Sequence, residues 1–230
     1  MIRENLEKIE EEIKKAAGKS PYGQSVRLVA VSKTKPAEDI MEAYEAGIRD
    51  FGENKVQELT QKYEELPKDI RWHLIGHLQR NKVKYVIGKT YLIHSVDSLR
   101  LAQEIEKEAE KKNVDVDILI QVNISQEESK FGIPANEAKG LIEEVSKMPH
   151  INIRGLMTIA PECEDPEDVR EVFAALRKLS IDIESFNRDN NFNCELSMGM
   201  SGDYKVAISE GATYVRIGSS IFGRRNYDLT

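Results

Sequence analysis

One feature constrains this chain more than any other. Short runs rich in β-branched residues, each ending in glycine or polar residues, alternate with stretches of helical periodicity along nearly its whole length. The runs are 27–31 (RLVAV), 48–51 (IRDF), 71–75 (RWHLI), 91–94 (YLIH), 116–122 (VDILIQV), 153–158 (IRGLMT), 195–198 (ELSM) and 214–217 (YVRI). Between them the spacing predicts helices over 36–46, through Val56 and Leu59, over 78–87, from near Asp97, over 134–148, from Asp165, and a short one from Asp203. Punctuation agrees with the periodicity. Pro36 suits a helix first turn and Gly47 the position after a helix end, and Asp165-Pro166 reads as an N-cap followed by proline at the first helical position.

Strands alternating with helices imply right-handed crossovers and a parallel sheet. Eight such units in ~200–250 residues fit a (β/α)₈ TIM barrel, here read as a single domain over residues 1–230. A doubly wound open sheet is the alternative, and no G-x-G-x-x-G opens any of the helices. Ahead of the first strand lies an extra N-terminal helix. Ile2, Leu6, Ile9 and Ile13 recur on one face, and Gly18 stops it. Little chain follows the eighth strand, so this helix is expected to cover the place of the eighth barrel helix.

Charge narrows the function. With 33 Lys+Arg against 40 Asp+Glu, the net charge of −7 argues against a nucleic-acid groove. No apolar run approaches the ~20 residues of a membrane span. The acidic, amphipathic N-terminus has no signal-peptide core. Cys163 and Cys194 make neither a disulfide framework nor a metal pair. The expectation is a cytoplasmic monomer that binds neither nucleic acid nor membrane.

In such barrels the active site forms at the carboxyl ends of the strands, and phosphate is often held after strands seven and eight. Here both of those ends are Gly/Ser-rich: Gly199-Met200-Ser201-Gly202 and Gly218-Ser219-Ser220. Glycines let backbone amides approach an anion, and Ser201 and Ser219 add hydroxyls. Lys33 has the strand parity of Val29 and Val31, which would point it into the barrel mouth. A partly desolvated lysine there is a Schiff-base nucleophile. On a lysine-rich surface the plain alternative is a solvated side chain. Arg216 lies inside strand eight and must be paired, with Glu195 as one partner, or face a ligand. The histidines show no H-E-x-x-H spacing, so no zinc site is expected. His94 could line the mouth, His150 reads as an ordinary loop residue, and Glu53 as an acid at a helix start.

These features sit in longer motifs: AVSKTKP (30–36), FGEN (51–54) with VQE (56–58), WHLIG (72–76) with LQ (78–79) and NK (81–82), VNIS (122–125) with SKFG (129–132), RGLM (154–157), LSMGMS (196–201), and VRIG (215–218) with IFG (221–223). In that order they span almost the whole chain, which resembles the pyridoxal phosphate homeostasis protein family, relatives of the alanine racemase barrel. The resemblance implies pyridoxal 5′-phosphate (PLP) as cofactor, with Lys33 carrying it as an internal aldimine. It implies that Arg216 faces the pyridine nitrogen, that Ser201, Gly218 and Ser219 hold the phosphate, and that Asn54, His73 and Met200 line the cofactor. It further implies a protein that binds and buffers PLP without robust catalysis, with PLP-dependent apo-enzymes as recipients. An alanine-racemase-type enzyme is the alternative. Those relatives carry a second domain with a catalytic tyrosine, which this chain, ending at Thr230, is expected to lack; nothing in the sequence places Tyr204 or Tyr227 over the ring. A Schiff-base aldolase of sugar phosphates fits the barrel, lysine and phosphate loops but not the motif set.

Overall fold

The computed structural model describes residues 1–127, 130–186 and 194–223; Tyr227 lies outside them. Its strands are β1 (Arg27–Val31), β2 (Asp50–Glu53), β3 (Arg71–Leu74), β4 (Leu92–Val96), β5 (Val116–Asn123), β6 (Ile151–Met157), β7 (Glu195–Met200) and β8 (Tyr214–Ile217). All pair in parallel in the order β4-β3-β2-β1-β8-β7-β6-β5, and β5 returns to β4. That last pairing closes the sheet, so the chain is the expected (β/α)₈ barrel and not an open sheet. A two-residue extension, Ile133–Pro134, pairs with the end of β5.

The helices are α1 (Ile2–Lys19), α2 (Ala37–Glu45), α3 (Val56–Glu65), α4 (Val83–Val86), α5 (Leu99–Lys112), α6 (Ala135–Val145), α7 (Arg170–Phe186), α8 (Tyr204–Ser209) and α9 (Ser219–Phe222). α1 buries Ile2, Leu6, Ile9 and Ile13. It packs against α2, α8 and α9, covering the wall where the last barrel helices are short. Each of those side chains contributes roughly 1.5–3 kcal/mol by leaving water. Asn5 donates to the Ile221 carbonyl at 2.9 Å and fixes the docking. Asp165 caps as expected, accepting from the Glu167 amide ahead of the 3₁₀ turn Pro166–Val169. Among the described residues no helix is long and apolar enough to cross a membrane.

Several boundaries differ from the expectation by a few residues, and two of the differences change how an element reads. β2 begins at Asp50 rather than Ile48, because the Ile48 amide still bonds the Ala43 carbonyl in the turn that ends α2. The helix expected over 78–87 is a 3₁₀ turn, Arg80–Lys82, followed by the single α turn of α4.

Strand alternation splits the core into two layers. Inward-facing Val29, Leu92, Leu119, Met157 and Tyr214 form a small cluster inside the barrel. Outward-facing residues such as Ala30, Phe51, Ile93, Ile118 and Ile120 join the shell between strands and helices. The interior also holds polar groups: His73, His94, Ser197 and Arg216 are all buried. This polar interior leads up to the carboxyl rim.

Candidate functional site

At that rim lies a cavity of about 770 Å³. Seven of the eight residues singled out in the sequence line it: Lys33, Asn54, Met200, Ser201, Arg216, Gly218 and Ser219. Lys33 stands just past the end of β1 and is half-buried. Thr34, next to it, holds the left-handed conformation at φ 63°, unusual for a β-branched residue. Lys35 also lines the cavity, but its amine donates to the Phe222 carbonyl at 2.8 Å and ties that side chain to the wall.

A buried clamp holds the Lys33 turn. Lys62 Nζ, on α3, donates to the Ser32 carbonyl, to Glu53 Oε1 and to Glu58 Oε1, each at 2.8 Å. Ser32 Oγ donates to Glu53 Oε1 at 2.6 Å, and the Thr34 amide donates to Glu58 Oε1. The residues on both sides of Lys33 are therefore anchored. Glu53 is the end of β2, fully buried, and not the helix-start acid that its sequence position suggested. Burial outweighs the pull of Lys62 and Ser32 and raises its carboxyl above the usual range. Its Oε2 has no hydrogen-bond partner.

Opposite stands Arg216. Its guanidinium donates to Ser197 Oγ at 2.5 Å and to the Thr158 carbonyl at 2.9 Å. Burial, only partly offset by the charge of Asp203, pushes it down to about 10, still a cation at neutral pH. No carboxylate pairs with it among the described residues. Glu195 instead lies near Arg154 and the Tyr214 hydroxyl. The salt bridge weighed from sequence is not formed, which leaves the alternative of a ligand acceptor.

The ends of β7 and β8 meet as one surface. The Gly218 amide donates to Ser201 Oγ at 3.3 Å, and a Cβ on Gly218 would lie 3.1 Å from the Val31 carbonyl oxygen. Asp203 turns its carboxylate back onto the Met200 amide. Across the mouth, a Cβ on Gly76 would sit 2.3 Å from the Asn54 carbonyl oxygen, so only glycine lets that loop close onto Asn54.

His73 departs from its assignment. It is fully buried inside the barrel, bonded to Asp50 and His94, and does not line the cavity. It lies level with Gly52 and Val31, a layer below the rim. His94 is likewise buried beneath the mouth, against Ser197. His150 bonds Glu106 at 2.8 Å. Tyr204 donates its hydroxyl to Glu12 on α1, away from the mouth. Sequence reasoning missed a stack of His77 on Phe131 at the rim, with ring centroids 4.0 Å apart and 12° between planes. It also missed the clamp, since Glu58 and Lys62 look like any surface i,i+4 pair. No group of three or more metal-ligating side chains occurs among the described residues.

Comparison with known proteins gives a consistent result. The family described as "Alanine racemase, N-terminal domain" matches residues 5–226. The chain is 47% identical over 227 residues to the pyridoxal phosphate homeostasis protein of Aquifex aeolicus, covering 97% of this chain and 98% of that one. It is 41% identical over 234 residues to the protein of the same name from Escherichia coli, covering 98% and 97%. Among solved structures, PipY of Synechococcus elongatus with PLP bound superposes with a TM-score of 0.84 at 36% identity, over 97% of this chain and all of that one.

Proposed function

The chain belongs to the pyridoxal phosphate homeostasis protein family, and from that premise we propose that it binds pyridoxal 5′-phosphate at the barrel mouth and buffers it. The residues present fit the group. An amine, a buried cation and a Gly/Ser surface face one cavity, and they match the aldehyde, the pyridine nitrogen and the phosphate of one molecule. Lys33 would hold the aldehyde carbon as a Schiff base, Arg216 would donate to the ring nitrogen, and Ser201, Gly218 and Ser219 would bind the phosphate. Asn54 and Met200 would line the ring. The observation that carries this reading is Arg216: a buried guanidinium without a carboxylate partner among the described residues, on the cavity that also receives Lys33.

When bound, PLP supplies an electrophilic carbon and an electron sink. A permanent donor such as Arg216 disfavours protonation of the ring nitrogen and weakens that sink. Tyr204, tied to Glu12, offers no proton donor over the mouth. Both point to holding the cofactor rather than turning over amino acids, in a cytoplasmic monomer that releases it to PLP-dependent apo-enzymes. The match to an alanine racemase domain keeps a racemase as the competing reading. Titrating cofactor-free protein with PLP tests the binding itself. A saturable visible absorbance band, one per chain, is expected, and its absence would refute the proposal.

A further inference from the structure

Beneath the mouth, an unbroken line of buried polar groups crosses the barrel. Arg216 Nη1 donates to Ser197 Oγ at 2.5 Å. Ser197 Oγ lies 2.8 Å from His94 Nδ1. His94 Nε2 lies 2.9 Å from His73 Nδ1. His73 Nε2 lies 2.9 Å from Asp50 Oδ1. β8, β7, β4, β3 and β2 each contribute one residue. His73, His94 and Ser197 are wholly inaccessible, and Arg216 and Asp50 nearly so.

The two ends fix the direction of every bond between them. A guanidinium only donates and an ionised carboxylate only accepts. Burial disfavours the Asp50 carboxylate, yet hydrogen bonds from Arg71 and His73 hold it down at about 2. From the top, Ser197 accepts from Arg216, so its one proton goes to His94 Nδ1. His94 then carries its proton on Nε2 and donates to His73 Nδ1. From the bottom, Asp50 demands the proton on His73 Nε2, which again leaves His73 Nδ1 as the acceptor. Both routes reach the same assignment, with two neutral Nε2–H imidazoles. A cationic His73 would set two N–H groups against each other, and a cationic His94 would leave the Ser197 proton without an acceptor along the line. Burial, the largest influence on each ring, opposes their protonation. The charged and titratable neighbours are Arg27, Arg71, Tyr91 and Tyr214 around His73, Tyr214 and Arg216 around His94, and Asp203 near Arg216.

We propose that Asp50, His73, His94 and Ser197 are positioning residues for Arg216: a one-directional hydrogen-bond line that holds its guanidinium as a fixed donor to the mouth cavity and so sets the charge state of the cofactor ring. The inference rests on the functional reading above. No member of the line below Arg216 need touch the cofactor. A serine or histidine that only filled space could be replaced by an apolar residue of similar shape with no change at the ring. In a directed line, losing one link frees Arg216 to turn.

Two measurements test this. Nitrogen-15 NMR of histidine-labelled, cofactor-free protein is expected to show His73 and His94 as neutral Nε2–H tautomers throughout about pH 5–8, the window in which an ordinary imidazole changes charge. A charged ring or an Nδ1–H tautomer at either residue would overturn the line. In PLP-loaded protein, Ser197→Ala is expected to shift the visible band and its pH profile and to weaken PLP binding at least tenfold. Ser197→Thr, which keeps the hydroxyl, is expected to restore all three. A Ser197→Ala spectrum and pH profile matching wild type would overturn the proposal, whatever its melting temperature. Correct tautomers in a protein with no affinity for PLP would refute the functional reading and support the line as the anchor of Arg216 alone. Saturable binding with the wrong tautomers would refute the line alone.

Discussion

Replacing Lys62 by methionine tests the clamp beneath Lys33. The ammonium makes three hydrogen bonds, one to the Ser32 carbonyl and two to carboxylates, and is itself buried. Methionine keeps the stem and removes every donor. It leaves Glu53 fully buried without its counter-charge. Breaking a buried ion pair from one side costs about 3–5 kcal/mol. For a chain of this size 1 kcal/mol moves the melting temperature by roughly 2–4 °C, so a drop of about 6–20 °C is expected at pH 8. The pH dependence has a definite sign. The folded-state pKa of Glu53 is raised, so the folded protein holds that proton more tightly than the unfolded chain does. The associated stability is present at low pH and is lost as pH rises through the folded value. Without Lys62 the pKa rises further, and the deficit shrinks as the pH is lowered from 8 towards 5. Adding Glu53→Gln to Lys62→Met should recover much of the loss at pH 8. Thermal melts of the four proteins across that range decide the matter. A deficit that is independent of pH and unrelieved by Glu53→Gln would refute the reasoning.

Other perturbations reach other parts of the account. At Gly155 a Cβ would meet the Glu195 carbonyl oxygen on the neighbouring strand at 1.9 Å. Gly155→Ala should therefore cost at least the ~1–3 kcal/mol typical of overpacking, and an unchanged denaturant midpoint would contradict the strand contact. Pyridoxal should bind orders of magnitude more weakly than its phosphate, since each charge-assisted hydrogen bond contributes roughly 1.5–3 kcal/mol; equal affinities in calorimetry would exclude Ser201, Gly218 and Ser219 as the anion site. The holo-protein should exchange the α-proton of common amino acids into deuterated water far below about 1 s⁻¹, the low end of ordinary enzyme rates. Steady turnover above that rate, abolished in Lys33→Ala, would favour the racemase reading.

The barrel was legible because its signal repeats. Eight apolar runs and their intervening helical stripes agree with one another, so an error of two residues at β2 leaves the topology intact. α4 was overestimated because Val83, Val86 and Ile87 are buried at the spacing of one helical face, while the chain just ahead of them forms only a 3₁₀ turn. At the site, strand parity predicts that Lys33 faces the mouth, and Lys33 does line that cavity, yet parity carries no depth. His73 falls a layer lower than Lys33 because it pairs in register with Gly52, and Gly52 with Val31, two residues before Lys33. The clamp was hidden for a different reason. Glu53 and Lys62 are common surface residue types, and only the approach of α3 to the end of β1 buries them together. The relay across the barrel joins residues from five strands, and nothing local in the sequence relates them.

The central claim is that Lys33 is the amine that captures the cofactor, and covalent trapping tests it most directly. Purified protein loaded with PLP is reduced with borohydride, digested and mapped by mass. The account predicts the reduced cofactor on the peptide bearing Lys33, at Lys33 and not at Lys35, whose amine is held by the Phe222 carbonyl. Loss of the visible band and of the label in Lys33→Ala would complete the assignment. Label on Lys35 or elsewhere, or an unchanged band and label in Lys33→Ala, would contradict it.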